Sequence, residues 1–451
     1  MTGEAPMALH DRLRELLAAG ARDDLRRLVA DRHESELVEA FAELDPDERE
    51  ALLRLLDTET AAELFSSAEE DIQEELADAL TEAEMAELVE EMDSDEAADA
   101  VRLLEPEEQD RVFDLLEDET ESDVRRLLVH EEDTAGDLMM VELAAVHEDA
   151  IVAEAIELIR EKADEIEQLY NVYVIDSAQR LVGSLSLRDM VLARPGMPLK
   201  AVMEAPEVTV TPEMDQEEVA RVFRRYDLVS LPVVDEGGVL VGRITVDDVM
   251  DVMEEEARED ISRLAGLGDE SFRPRGVLRI SRDRLPWLVL GLLGGLLSGR
   301  ILQGFEGSLA EVLSLAFFVP VVMALAGNIG IQSSTIVVRG LATGEFRPGG
   351  TRRRILIETA VSLLNGFVIG LITFGAVWLW LGDIVLGGVV AVSMLVVVLW
   401  ATITGTAVPL VLQRVGVDPA YATGPFVTTT NDVVALAIYL SIAFHFRHLL
   451  A

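Results

Sequence analysis

The chain has 451 residues with 84 acids against 37 bases, a formal net charge of −47, and no cysteine. Phosphate backbones bind clustered Lys and Arg, so this acidity argues against a nucleic-acid partner. The missing thiols exclude disulfides, thiolate metal sites and cysteine nucleophiles.

The charge is unevenly spread. Residues 272–451 hold more arginine than acid, so the whole acidic excess lies in the first 271 residues. Lysine is confined to Lys162 and Lys200. Such acid-rich, lysine-poor usage fits solubility in a salt-loving cytoplasm, and it equally suits divalent cations. The opening MTGEAPMALHDRLREL lacks the apolar stretch of a signal peptide. The front half is therefore expected to stay in the cytoplasm.

Residues 45–116 read as six twelve-residue units: DPDEREALLRLL, DTETAAELFSSA, EEDIQEELADAL, TEAEMAELVEEM, DSDEAADAVRLL and EPEEQDRVFDLL. Position one is always Asp, Glu or Thr, residues suited to a helix N-terminus. Position eight is always apolar: Leu52, Leu64, Leu76, Leu88, Ala100 and Val112. The pattern predicts short helices with one buried stripe, stacked into a superhelical solenoid.

From about residue 141 the texture changes. YNVYVID, RLVGSLSL, SLPVVD and VLVGRITV read as short strands, interleaved with the helical DAIVAEAIELIREKA and DQEEVARVFRRY. The order repeats about 60 residues apart, ending in GSLSLRD (Gly183 to Asp189) and GRITVDD (Gly242 to Asp248). This predicts an α/β tandem repeat. An acidic helix over 254–272 leads to five apolar stretches near 285–302, 309–338, 355–381, 384–412 and 424–446. A span needs about 20 residues, so five membrane helices are expected. Eleven arginines precede span one or lie between spans two and three or four and five, against only Arg300 and Arg447 on the other side. That bias places the acidic part in the cytoplasm and Ala451 outside.

Two membrane segments are more polar than packing requires. In AGNIGIQSSTIVV, Asn328 and Gln332 share one helical face. The following Ser333 to Thr335 read as helix–helix glue, whereas Asn328 and Gln332, flanked by glycines, read as the lining of a cavity. In GPFVTTTNDVVALAIYLSIAFHF, Asp432 could be a helix cap. A helix from Val433 to Phe446 would then reach only about 21 Å of a core about 30 Å thick. Residues 424–431 must therefore enter the membrane, which puts Asp432 about 10 Å inside. No Lys or Arg sits in the interior of any span to pair with it, so a cation pathway is the expectation. Oxygen donors without thiol or imidazole suit a hard ion such as Mg2+, which keeps much of its water.

With those residues in view, the chain resembles the MgtE family of magnesium channels and transporters over nearly its whole length. The resemblance rests on HEEDTAGDLM, the tandem CBS motifs GSLSLRD and GRITVDD, the connecting EDISRLAG, and ILQGFE, FFVPVVMALAGNIGIQSST and GVDPAYATGPFVTTTNDV. It implies a multi-domain membrane protein. An all-α superhelical N-domain (1–135) would precede two α/β CBS domains (136–200 and 201–256), a connecting helix (257–282) and a five-span domain (283–451).

It further implies a homodimer in the lipid bilayer, with a pore on the two-fold axis. Asp432 is matched to the ion-selecting acid, and Thr428 would offer a backbone carbonyl one turn earlier. The acidic part would sense cytosolic Mg2+ and shut the gate when bridged by it. Positions matched to sensor acids are Asp95 and Asp99 in the solenoid, and Asp215 and Asp227 in the second CBS domain. Asp248, Asp251, Glu256, Glu259 and Asp260 match toward the connecting helix, and Asp418 before span five. The cleft of Tyr170, Arg188 and Asp189 resembles one where ATP is the candidate ligand in relatives. Two positions depart from the family pattern, since Ile331 and Gly424 each stand where an Asn is usual.

Other classes fit less well. An intramembrane aspartyl protease needs a second acid sharing a proton, and Glu311 and Glu358 fall near span ends. No His-Glu-x-x-His occurs for a zinc protease. A channel for Co2+, Ni2+ or several divalents remains the alternative to Mg2+ alone. A CBS sensor that uses the membrane only as an anchor leaves Asp432 and Asn328 without a role.

Overall fold

The computed structural model describes residues 8–162, 166, 168–264, 277–342, 351–415, 419 and 424–450. The chain divides into two compact units, Met1–Glu255 and Glu256–Ala451.

The first unit opens with ten short helices. They are α1 (Leu9–Ala19), α2 (Arg22–Ala30), α3 (Glu34–Ala42), α4 (Pro46–Leu53), α5 (Thr58–Ser66), α6 (Glu70–Ala79), α7 (Glu82–Val89), α8 (Ser94–Arg102), α9 (Pro106–Phe113) and α10 (Asp118–Leu127). The twelve-residue register is borne out. Asp45, Asp57, Glu69, Thr81, Asp93 and Glu105, the first residues of the six units, are the N-caps of α4 to α9. An acid or hydroxyl at that position suits the positive end of a helix. Asp57 accepts from Thr60 N at 3.2 Å, and Thr81 forms a capping box with Glu84. All six position-eight side chains are buried. The repeat also runs one unit further each way, to His33 capping α3 with Ala40 buried and to Glu117 capping α10 with Val124 buried. Ion pairs tie non-adjacent helices, as in Arg54–Glu84 at 2.6 Å and Arg111–Glu82 at 2.9 Å.

The α/β repeat follows. β1 (Ala145–His147), α11 (Val152–Glu161), β2 (Asn171–Ile175), β3 (Leu181–Ser186) and α12 (Leu187–Leu192) form the first half. Its sheet has the order β1-β2-β3, with β1 parallel to β2 and β2 antiparallel to β3. The second half holds α13 (Gln216–Tyr226), β4 (Ser230–Val234) and β5 (Leu240–Thr245), the two strands antiparallel. The chain ahead of each half crosses to the other half. Met140 exchanges backbone bonds with Arg243, and Glu204 with Ser184. Helical and α/β parts share one core, in which Leu127 and Val124 join Met139, Val219, Phe223 and Val249. β5 runs directly into α14 (Val246–Leu264).

The second unit contains α15 (Val277–Gly304), α16 (Glu306–Glu311), a 3-10 turn over Leu313–Phe318, α17 (Val319–Ala342), α18 (Thr351–Leu381), α19 (Ile384–Arg414), α20 (Pro425–His445) and α21 (Arg447–Leu450). Among the described residues, five segments are long and apolar enough to cross a membrane: Arg284–Gly304, Leu313–Leu341, Ile355–Leu381, Ile384–Arg414 and Pro425–His445. They coincide with the five expected from sequence. α19 packs against α17, α18 and α20, and α15 and α18 leave rows of large apolar side chains exposed, as a lipid-facing surface requires.

Candidate functional site

The polar part of the membrane unit is built where α20 meets α17. Gly424 caps α20 with φ 60° and ψ −131°, a backbone state that only glycine enters cheaply. This gives the Gly424 departure a physical reason. Pro425 follows at the first helical position, where its missing N–H costs nothing. Thr428 Oγ1 donates to Gly424 O at 2.9 Å, so Thr428 to Asn431 lie within the helix and not in a preceding loop. Asp432 is then the eighth residue of a 21-residue helix, too deep to serve as its cap.

Two glycines of α17 receive α20. A Cβ on Gly327 would stand 3.1 Å from Thr428 Cγ2 and 3.4 Å from Asp432 Oδ1. A Cβ on Gly330 would overlap Asn431 Nδ2 and stand 2.8 Å from Val427 Cγ1. The Oδ1 of Asp432 is buried without a hydrogen-bond partner among the described residues. Asn328 and Gln332 lie on an outward, exposed face of α17 within the single chain. Ile331, the other departure, is exposed beside them. Sequence reasoning missed Asn431, which is fully buried and accepts from Thr404 Oγ1 at 2.7 Å.

The first unit brings a different set of acids together. Asp95 on α8 is 7% exposed, and burial, the Asp248 carboxylate, Glu96 and Asp93 push it well above the usual carboxylate range. Asp248, accepting from Thr245 Oγ1 at 2.5 Å, is pushed up to about 6 by burial, and Asp247 and Asp251 add to it. Asp99, one turn after Asp95, is pushed up to about 7 by desolvation first and then by Asp137, Glu132 and Glu255, while Arg102 opposes this. The Asp99 side chain is still 62% exposed, so water screens part of that shift. Burial beside further carboxylates favours the protonated or cation-bound form of these acids.

Other expected sensor acids fall elsewhere. Asp215 caps the start of α13, accepting from Glu217 N at 2.9 Å, and Asp227 caps its end in the left-handed region. The two stand at opposite ends of one helix. Asp251 lies on α14 near Asp247 and Glu254, and burial raises its pKa. Glu256, Glu259 and Asp260 continue that helix, with Glu259 paired to Arg263. Asp418 and the Asp260 side chain lie outside the described residues, as do residues 265–276 of the expected connecting helix. Among the described residues, no three acids or histidines converge at metal-holding distance.

In the first α/β half, Ser186 caps α12 and donates to Asp189 at 2.5 Å, as Thr245 does to Asp248 in the second. Arg188 and Asp189 are exposed. Tyr170 Oη donates to Gln168 Oε1 at 3.0 Å, and Gln168 in turn bonds Asp247.

Comparison with known proteins bears on all three parts. Residues 32–133 match the MgtE intracellular N domain, 135–196 and 199–255 the CBS domain, and 319–442 the MgtE divalent cation transporter family. The magnesium transporter MgtE of Thermus thermophilus is 43% identical over 316 residues, 70% of each chain. That of Bacillus subtilis is 38% identical over 323 residues, 71% of each. The cytosolic domain of the Mg2+ channel MgtE, solved in complex with ATP, is 39% identical with a TM-score of 0.52, over 54% of this chain and 100% of that one. The soluble part of a magnesium transporter is 30% identical with a TM-score of 0.51, over 55% of this chain and 98% of that one. A helical N domain, tandem CBS domains and five apolar helices, matched together at these identities, make the chain a multi-domain membrane protein of the MgtE family of magnesium transporters.

Proposed function

We propose that two copies of the chain form a Mg2+-selective channel for uptake across the cell membrane. The acidic unit and N-terminus lie in the cytoplasm, as the arginine bias supports, and Ala451 lies outside. The observation that carries the reading is Asp432: a carboxylate in the second turn of a membrane helix, seated on Gly327, with an unpartnered oxygen. Two such acids facing one axis hold hydrated Mg2+ through its waters. The outward polar face of Asn328 and Gln332 lines the same axis, because a lone chain would otherwise turn two amides toward lipid. In liposomes, Asp432→Asn abolishes Mg2+ flux; undiminished flux in that variant would overturn the reading.

The cytosolic unit acts as the Mg2+ sensor of this channel. The support is the pair Asp95 and Asp248, close enough for the Asp248 carboxylate to raise the Asp95 pKa, both held above the ordinary carboxylate range chiefly by burial. Mg2+ that bridges such acids removes their repulsion and holds the closed arrangement, and low Mg2+ releases it. In molar KCl screening shrinks to about 3 Å, so direct bridging does the work. Mg2+-dependent protease protection of the full chain in molar KCl tests this; no protection overturns it. ATP binds the cleft of Tyr170, Arg188 and Asp189, a reading supported by the 39%-identical cytosolic domain solved with ATP. A broader divalent pathway that admits Co2+ and Ni2+ is the second reading, and the family description as a divalent cation transporter favours it. Flux compared across these ions separates the two.

A further inference from the structure

One buried amide in the membrane unit has no part in the pathway so far. Asn431 is 0% exposed. The single hydroxyl hydrogen of Thr404 on α19 has three acceptors in reach, and Asn431 Oδ1 at 2.7 Å is nearer than Trp400 O at 3.0 Å or Ala401 O at 3.1 Å. Asn431 Nδ2 lies against Gly330 of α17 with no acceptor among the described residues. An unpaired buried donor lowers stability, a cost that an apolar side chain sized to the space would not carry. Packing alone does not account for asparagine here.

Two helices are cut back to admit it. Besides Gly330, Gly405 lacks a Cβ where one would stand 2.5 Å from Gly330 O and 3.0 Å from Ser333 Cβ. α17 and α19 thus meet backbone to backbone beside the amide, and Thr404 clamps it. Successive helical residues project about 100° apart, so fixing Asn431 against α19 also fixes the bearing of Asp432. Side-chain tips ride about 5–6 Å from the helix axis, so a rotation of about 10° moves the carboxylate by about 1 Å.

We propose that Asn431, clamped by Thr404, is a positioning residue that sets the rotation of α20 and thereby which hydrated divalent cation the Asp432 carboxylate accepts. The inference rests on the reading that Asp432 faces the ion path. Mg2+ holds a rigid octahedral water shell and Ca2+ a looser one with more ligands. A carboxylate displaced by about 1 Å therefore discriminates less between them.

The test uses the full chain in liposomes and the ratio of Mg2+ to Ca2+ flux. Thr404→Val removes the hydroxyl at nearly constant shape, and Thr404→Ser keeps it. The ratio is expected to fall about threefold to tenfold in Thr404→Val, the range one neutral hydrogen bond spans, and to stay at wild type in Thr404→Ser. An unchanged ratio in Thr404→Val, or an equal fall in both variants, overturns the inference. Asp432→Asn keeps the two readings apart. If it conducts normally, the pathway itself fails; if it is silent while Thr404→Val keeps its ratio, only the positioning role fails.

Discussion

Arg102 of α8 reaches two carboxylates at once, Asp137 at 2.6 Å and Asp99 at 2.7 Å. It is the one base among the groups that set the Asp99 pKa. The helical domain therefore carries a resident positive charge where its acids crowd together. Arg102→Gln should raise the Mg2+ concentration needed for half-maximal protection of the full chain from chymotrypsin. The cost should be about 1–3 kcal/mol, between the exposed and buried limits for broken ion pairs. An unshifted midpoint would mean that Arg102 is incidental to these acids.

Without divalent cations, the stability of the first unit should fall as the pH rises from the ordinary carboxylate range to about 7. Asp95, Asp99 and Asp248 all bind protons more tightly in the folded chain than in the unfolded one. Across that window the folded state holds the extra protons, so raising the pH costs stability, and above the folded values the slope vanishes. Mg2+ should flatten the dependence by replacing the protons. Melts at pH 5 and pH 7.5, in chelator and in Mg2+, read this directly; equal melts in chelator would refute it.

Gly330→Ala should destabilise the membrane unit by about 1–3 kcal/mol, the usual range for overpacking. The new methyl would meet Asn431 and Val427. Gly295→Ala, where a Cβ meets nothing within 4 Å, should be neutral. Thermal unfolding in detergent, followed by retention of the folded peak on gel filtration, compares the pair.

Gly424→Ala should cost about 1–3 kcal/mol, because its φ of 60° with ψ −131° is open only to glycine. The helix start would shift and take Thr428 with it. Reduced Mg2+ flux with a lowered melting temperature is expected; a variant that matches wild type in both would contradict it.

Much of this architecture was legible in the sequence, for reasons that are local. A cap residue and an apolar position eight specify a short helix whatever surrounds it, so the solenoid register could be read directly. His33 hid the unit at residues 33–44, since a histidine cap carries no acidic signature. The depth of Asp432 followed from counting residues against the bilayer. Other features depend on contacts between distant segments. Asp95 comes under the influence of Asp248, about 150 residues on, only through the tertiary fold, and Asn431 meets Thr404 and Gly330 only through the crossing of three helices. Asp215 and Asp227, both matched to sensor acids, cap opposite ends of α13.

The stacking of the short helices bears on how this domain can change length. α1, α3, α5, α7 and α9 pack in succession along one row, while α4 packs on α6 and α8 on α10 along the other. Neighbours within a row are thus two units apart in sequence. An insertion or deletion of one twelve-residue unit between α8 and the α/β repeat keeps every cap and buried position in register but moves α8 to the opposite row, carrying Asp95 away from Asp248. Only a change by two units restores both. Along each row the structural period is twice the sequence period, and variation in length between α8 and the α/β repeat should come in steps of the larger one.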